Sequence, residues 1–333
     1  MAAYFMCLNR GKKSVELDFG NDEDRDTILK LSEKADILVE NFKVGGLAKR
    51  GLGYDDISKV NPKIIYCSIT GFGQNGPLSQ NAGYDFLIQG MGGLMSVTGT
   101  EDSGPMKTGV AVTDVMTGLY STVGILAALR ERETSGKGQH LDLSLFDSQV
   151  AMLVNQASQA LVTGKAGGLI GNAHPSICPY DALQCKDKQI IIAVGNDYQF
   201  SKFCQELGAP ELSEDPRFST NDNRVLNRDE LREKLESLLK QKNVDEWVDI
   251  LGPVGVPAGP INQVREALDH PQAAFRDMVV KMAVPPQKPG EESAEMNVVG
   301  TPIKMSRSNT QASTPPPFLG QHTQEALKAW LGE

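Results

Sequence analysis

The chain has 333 residues and a formal net charge of −9, with 33 Lys and Arg against 42 Asp and Glu. That length allows one large or two ordinary domains and a core that takes about three quarters of the unfolded surface out of water. The acidic balance argues against a nucleic-acid partner, because phosphate backbones call for clustered Lys and Arg.

The first half alternates strands and helices. KKSVELDF alternates apolar and polar residues, which predicts a strand. NDEDRDTILKLSEKA opens with acids, which favour a helix start, and DILVEN predicts a short buried strand. FKVGGLAKRGLGYDDISKVNP predicts two helical pieces around glycines, and KIIYCSIT a third strand. This order predicts a parallel sheet covered by helices. GYDFLIQGMGGLMSVTG predicts a helix and a loop. A long apolar helix is predicted over 115–133, closed by the glycines of TSGKGQ. HLDLSLF predicts a strand, and DSQVAMLVNQASQALVTG one further helix capped by Asp147 or Ser148.

The loop GKAGGLIGNAHPSICPYD marks a domain boundary, giving segments 1–165, 166–260 and 261–333. Beyond it, ALQCKDKQIIIAVG predicts a hairpin turning at Lys186–Lys188. DYQFSKFCQELG and RDELREKLESLLKQ predict helices, the second with Leu231, Leu235, Leu238 and Leu239 on one face. VPPQKPGEESAE is predicted as a loop, and STPPPFLGQHTQEALKAWLGE as an extended segment closed by a helix.

Cys7, Cys67, Cys178, Cys185 and Cys204 are odd in number and form no C-x-x-C, so neither a disulfide framework nor a zinc site is indicated. A soluble protein of a reducing compartment is expected, cytoplasmic or, in a eukaryote, the mitochondrial matrix. No apolar run approaches the ~20 residues of a membrane helix, so no membrane partner is expected. MAAYFMCLNRGKKS lacks the apolar core and cleavage site of a signal peptide.

KIIYCSITGFGQNGP runs a strand into G-x-G-x-x-G, with Gly71, Gly73 and Gly76. A dinucleotide fingerprint places a helix immediately after that turn, to hold the pyrophosphate on its N-terminus. Pro77 and the polar LSQNAG follow here instead, so the pattern is read as a loop of another kind.

Asp114 stands out, an acid within the mostly apolar GVAVTDVMTGLYS at the mouth of the long helix. On sequence alone it suits an N-cap first, and a carboxylate nucleophile that the helix N-terminus keeps ionised is compatible with that. The four histidines show no metal-binding spacing, so no metal is expected. NRGKK and the Lys43, Lys49 and Arg50 group are either solvated surface or a polyphosphate site, since both flank strand ends.

Taken together, NRGKKSVELD, ADILVENFKVGGLAKRGLGY, NPKIIYCSITGFGQNGP, GYDFLIQGMGGLM, GVAVTDVMTGLYS, SGKGQHLDLSLFDSQ, AHPSICPYDALQCKD, VGVPAGPINQV and PPPFLGQHT resemble the class III CoA-transferases of the CaiB/BaiF type. Within that family AHPSICPYDA and PPPFLGQHT are most similar to the succinate–hydroxymethylglutarate (glutarate) CoA-transferases. The resemblance implies an open, doubly wound parallel α/β sheet in a Rossmann-like large domain that binds CoA, a smaller α+β domain, and a return segment packing back on the large one. It implies an interlocked homodimer whose crossing segments are the loop after Gly164 and the return from Val284 to Phe318. No tightly bound cofactor is implied; a coenzyme A thioester and a carboxylic acid are the substrates.

The family's catalytic aspartate falls on Asp114. Its CoA contacts fall on Asn9, Arg10, Lys12, Lys13, Asn41, Phe42 and Lys43, and its phosphate-binding arginine position on Lys49, with Arg50 beside it. Tyr84, Lys107 and His174 are the expected substrate-side residues: His174 in the loop that covers the site, and Lys107 as a partner for the far carboxylate of a diacid. The implied activity moves CoA from succinyl-CoA, or a similar acyl-CoA, to a dicarboxylate such as glutarate or hydroxymethylglutarate, through an aspartyl anhydride and an aspartyl-CoA thioester. The family's racemases carry His after the Gly of the G-Y-D motif. Tyr84 stands there, and a phenol is a poor base at neutral pH. The resemblance also implies a strand, glycine turn, helix and second strand ahead of the matched portion. An N-terminally shortened chain is therefore expected, with an α-methylacyl-CoA racemase-like enzyme or a truncated non-catalytic homologue as the alternative readings.

Overall fold

The computed structural model describes residues 2–284, 294–312 and 314–332 as a mixed α/β protein. Its contacts gather the chain into two compact units. One comprises Met1–Ala82, Leu119–Leu143 and Asn262–Glu333, the other Gly83–Gly118 and Ser144–Ile261.

In the first unit a three-stranded sheet runs in the order Ile37–Glu40, Ile65–Thr70, Gln139–Ser144. The first pair is parallel, with Ile37 opposite Ile65. The central strand is buried from Ile65 to Ser68, as an apolar run covered on both faces should be. The Ile37–Glu40 strand is predicted as buried but is not: it is an edge, and Val39 is 54% exposed. Leu52, Ile57, Ile64 and Tyr66 form the core with Phe19, Ile28 and Leu29. The Tyr66 hydroxyl donates to the Leu52 carbonyl at 3.0 Å, so its polar tip is satisfied inside. Asn21 caps the Asp22–Lys34 helix, its side chain accepting from the Asp24 N–H at 2.8 Å.

KKSVELDF forms no strand. Alternation supplies a face but not a partner. Here the backbone N–H groups of Ser14 and Glu16 donate to His322 Nδ1 and Thr323 Oγ1, side chains at the start of the C-terminal helix Thr323–Leu331. An ion pair of 2.5 Å between Lys13 and Glu325 fixes the same contact. Within this unit Val279–Val284 and Ala294–Val299 pair antiparallel. The loop predicted over VPPQKPGEESAE therefore begins and ends in strand; its residues 285–293, which also belong to the expected crossing return, lie outside the described residues.

The long helix runs Val112–Ser135, starting three residues before the predicted 115 and stopping at Gly136, whose φ is +72°. Its 24 residues are long and apolar enough, by length and composition, to cross a membrane, which corrects the reading that no run approaches that length. Val115, Leu119, Val123 and Leu126 recur along one side of it and are exposed.

In the second unit, Tyr180–Gln184 and Gln189–Ala193 form the predicted antiparallel hairpin, joined by Ala258–Pro260 on its other side. Helices Asp197–Glu206, Arg228–Leu239 and Val244–Leu251 cover it with Phe200, Phe203, Leu231, Leu235, Leu239 and Trp247, all fully buried or nearly so. The single helix predicted after the Gln139–Ser144 strand is two, Leu145–Ala151 and Val154–Thr163, broken where Val154 takes φ +42°. Its cap is neither Asp147 nor Ser148 but Ser144, which accepts from the Asp147 N–H at 2.9 Å.

Candidate functional site

Asp114 is not an N-cap. The helix begins two residues earlier, so Asp114 sits in its first turn, where backbone N–H groups lack partners within the helix. The cap comes from elsewhere in the same unit. Asp85, first residue of the Asp85–Met91 helix, accepts with Oδ1 from the Thr113 N–H at 2.9 Å and the Asp114 N–H at 3.3 Å. Its Oδ2 accepts from Gln89 Nε2 at 2.6 Å. Gln89 Oε1 in turn accepts from the Thr108 N–H at 2.9 Å, and the Thr113 hydroxyl donates to Gln149 Oε1 at 2.6 Å. Gln89, Thr113 and Gln149 are fully buried beneath an Asp114 that is itself exposed.

Among the described residues the Asp114 carboxylate accepts no hydrogen bond. Partial burial raises its pKa, and the Asp85 carboxylate raises it further. A carboxylate more basic than usual and open to solvent can attack an activated acyl carbon. Lys107 lies on the segment that joins this network: its ammonium reaches the Thr108 carbonyl at 3.1 Å. Tyr84, just before Asp85, is 76% exposed.

The expected CoA contacts all lie in the other unit. Arg50 packs over the Phe19 ring at 5.3 Å, and Phe42 meets the same ring edge-on at 5.6 Å, so these two are brought together. Asn41, Lys43 and Lys49 are exposed nearby in sequence. In the NRGKK stretch, Lys12 reaches Asn9 Oδ1 at 3.2 Å while Lys13 is taken up by Glu325. Arg10 lines a small cavity of about 160 Å³ with Cys7, Thr301 and Gln311. The G-x-G-x-x-G loop binds inward rather than starting a helix: the Gln74 N–H donates to both Asp142 oxygens, at 3.2 and 3.0 Å. Gly73 and Gly76 take φ +90° and +94° there, which only glycine adopts readily.

His174 is held by its backbone. Its N–H donates to the Tyr180 carbonyl at 3.0 Å, and its own carbonyl accepts from Arg228 at 2.9 Å. The ring accepts from the Ser176 N–H through Nδ1 and packs against Tyr180. A cavity of about 340 Å³ opens beside it, lined by Ile170, Ile177, Cys178, Tyr180, Arg228 and Arg232 among others. Among the described residues no three His, Cys, Asp or Glu side chains gather as a metal set.

Sequence reasoning missed Asp85, Gln89, Thr113 and Gln149. Asp85 stands 29 residues before Asp114, and Gln149 stands 36 after Thr113. No local spacing announces such pairs; the Asp of GYDF, a helix-starting acid in an apolar stretch, was the one visible signal.

An α/β framework that presents a solvent-open carboxylate in a helix's first turn, with its own backbone N–H held by Asp85, defines a candidate site for covalent acyl chemistry. The chain belongs to CoA-transferase family III, whose match spans residues 1–323. It is 42% identical over 326 residues to the succinate–glutarate CoA-transferase of Agrobacterium fabrum, covering 98% of this chain and 80% of that protein. It is 39% identical over 330 residues to the succinyl-CoA:glutarate CoA-transferase of Mus musculus, covering 99% of this chain and 74% of that one. Among solved structures, a CaiB/BaiF family protein from Brucella suis superposes with a TM-score of 0.85 at 45% identity, over 99% of this chain and 84% of that one.

Proposed function

We propose that this chain moves CoA from succinyl-CoA to a dicarboxylate such as glutarate, with Asp114 as the nucleophile. The observation that carries the reading is Asp114 itself, a solvent-open carboxylate with a raised pKa in a helix's first turn, in a chain of this family. The relatives named for glutarate support the choice of acceptor.

In this reading an Asp114 oxygen attacks the thioester carbonyl of succinyl-CoA. The C–S bond breaks, CoA leaves as thiolate, and a mixed aspartyl–succinyl anhydride remains. The thiolate then attacks the aspartyl carbonyl, releasing succinate and leaving an aspartyl-CoA thioester. The acceptor carboxylate attacks that thioester, forming a second anhydride and freeing the thiolate again. Attack of the thiolate on the acceptor's acyl carbon yields the new acyl-CoA and restores the Asp114 carboxylate. Each step exchanges one activated acyl group for another, so no outside energy source is needed.

Asn9, Arg10, Lys12, Lys13, Asn41, Phe42, Lys43, Lys49 and Arg50 are assigned to CoA, with 1–165 as the CoA-binding domain, 166–260 as the small domain and 261–333 as the return segment. Tyr84, Lys107 and His174 are assigned to the acyl side, Lys107 as the cation for the far carboxylate. The sheet is read as part of a doubly wound assembly and the active form as a homodimer. The exposed row Val115, Leu119, Val123 and Leu126 supports a second copy, because apolar side chains in line on a helix call for a covering surface.

The test is incubation with succinyl-CoA alone, followed by proteolysis and mass spectrometry. An acyl or CoA adduct on the peptide containing Asp114 is expected, absent in Asp114→Asn. An adduct on another residue, or full turnover in Asp114→Asn, overturns the assignment.

A further inference from the structure

We propose that Asp85 is a positioning residue for the reaction, fixing the backbone of Asp114 and tuning its carboxylate from a different helix. The inference rests on the reading of Asp114 as nucleophile and deepens it.

The geometry is specific. A helix's first N–H groups ordinarily take a cap from the residue just before the helix. Here two of them, at Thr113 and Asp114, converge on one oxygen of Asp85, 28 and 29 residues back in the chain. The other oxygen is not left to rotate: fully buried Gln89, one turn on in Asp85's own helix, holds it at 2.6 Å. Gln89 is itself pinned by the Thr108 N–H at 2.9 Å. Both oxygens of Asp85 are therefore occupied, and the carboxylate plane is set by protein on both sides. On the other flank, Thr113 donates to fully buried Gln149, so the turn carrying Asp114 is held from two directions.

This arrangement has two consequences for a nucleophile. Its backbone is tied to Asp85 through its own N–H, while its carboxylate accepts no hydrogen bond among the described residues and is left for the acyl group. A second negative charge also stands close by and makes the Asp114 carboxylate harder to keep ionised, hence more basic. The charged groups tied into the network are Asp85, from the Asp85–Met91 helix, and Lys107, from the segment leading to Asp114. The Leu145–Ala151 helix contributes the neutral Gln149.

The experiment compares wild type, Asp85→Asn and Asp85→Ala, each checked for an intact melt. The readouts are the pH profile of kcat/KM and the single-turnover rate of adduct formation on Asp114 with succinyl-CoA. Activity falls as Asp114 is protonated, so the acid limb lies at its pKa. Removing the Asp85 charge lowers that pKa, and the limb should move to lower pH in both variants. Asp85→Asn keeps an oxygen for the two backbone N–H groups and should retain adduct formation well above Asp85→Ala. The alanine variant should lose about 100-fold, the scale of a misplaced reacting group. An unmoved acid limb, or equal rates in the two variants, overturns the role of Asp85. If wild type itself forms no adduct on Asp114, it is the nucleophile reading that fails, and the two failures are thereby told apart.

Discussion

The two halves of the hydrophobic inventory are spent differently. Between Cys178 and Val256 a hairpin and three helices close on a core in which Phe203, Leu231, Leu235 and Leu239 are wholly buried. That core even encloses a charge: Arg224 is fully buried, donating to the Cys178 and Phe218 carbonyls at 2.6 and 2.9 Å, pairing with Asp197 and lying 4.4 Å from the centre of the Phe200 ring. Around the parallel sheet and long helix the apolar residues are only partly used. Leu119, Val123 and Leu126 are 56%, 64% and 60% exposed, and Val39 is exposed on the edge strand. The contrast teaches that the residues closing this core are not the ones around the candidate nucleophile. One region closes a core of its own, leaving Tyr198 and Leu226 outside it; the other leaves a whole helix face open, and the candidate nucleophile sits at the start of that helix.

The sharpest way to break this comparison is to exchange effects between the regions. Asp114→Asn should lower turnover by about 1,000-fold or more, since an amide cannot be acylated. Because the side chain is exposed and does not cap the helix, folding stability should stay within about 0.5 kcal/mol. Steady-state kinetics and a denaturant melt on one preparation check both. Arg224→Ala should do the reverse. It strips partners from two buried carbonyls and empties space over Phe200, costing about 3 kcal/mol, with turnover per folded molecule kept well below its melting range. Normal stability in Arg224→Ala, or lost chemistry without lost stability, would show that the regions are not separate.

Leu126→Ser probes the reserve itself. On an exposed face it should shift the chain's own unfolding by less than about 0.5 kcal/mol. If that face meets a second copy, sedimentation at micromolar concentration should show dimer in wild type and dissociation in the variant. A wild-type monomer would remove the homodimer reading. The smallest effect is expected for Lys107→Ala. An exposed ammonium facing a carboxylate is worth little, so KM for dicarboxylates should rise about two- to fivefold while KM for monocarboxylates holds. Equal changes for both would take Lys107 out of acceptor selection.

Much of this was legible in the sequence because its causes are local. Asn21 ahead of three acids dictates where a helix starts, and the repeat of Leu231, Leu235 and Leu239 dictates which face it buries. The hairpin at Lys186–Lys188 follows from two apolar runs and a polar turn, and Asp114 was conspicuous because an acid is rare in so apolar a stretch. Motifs in the right order were enough to point to the family. What the sequence could not state is who partners whom. KKSVELDF has the alternation of a strand, yet its N–H groups go to side chains more than 300 residues away. The glycine loop owes its shape to Asp142, 68 residues on, and the start of the Asp114 helix owes its cap to Asp85. Propensity and periodicity act within a turn or two of the chain. A hydrogen bond between distant segments exists only once the fold has brought them together, so the environment of Asp114 was decided by tertiary structure alone.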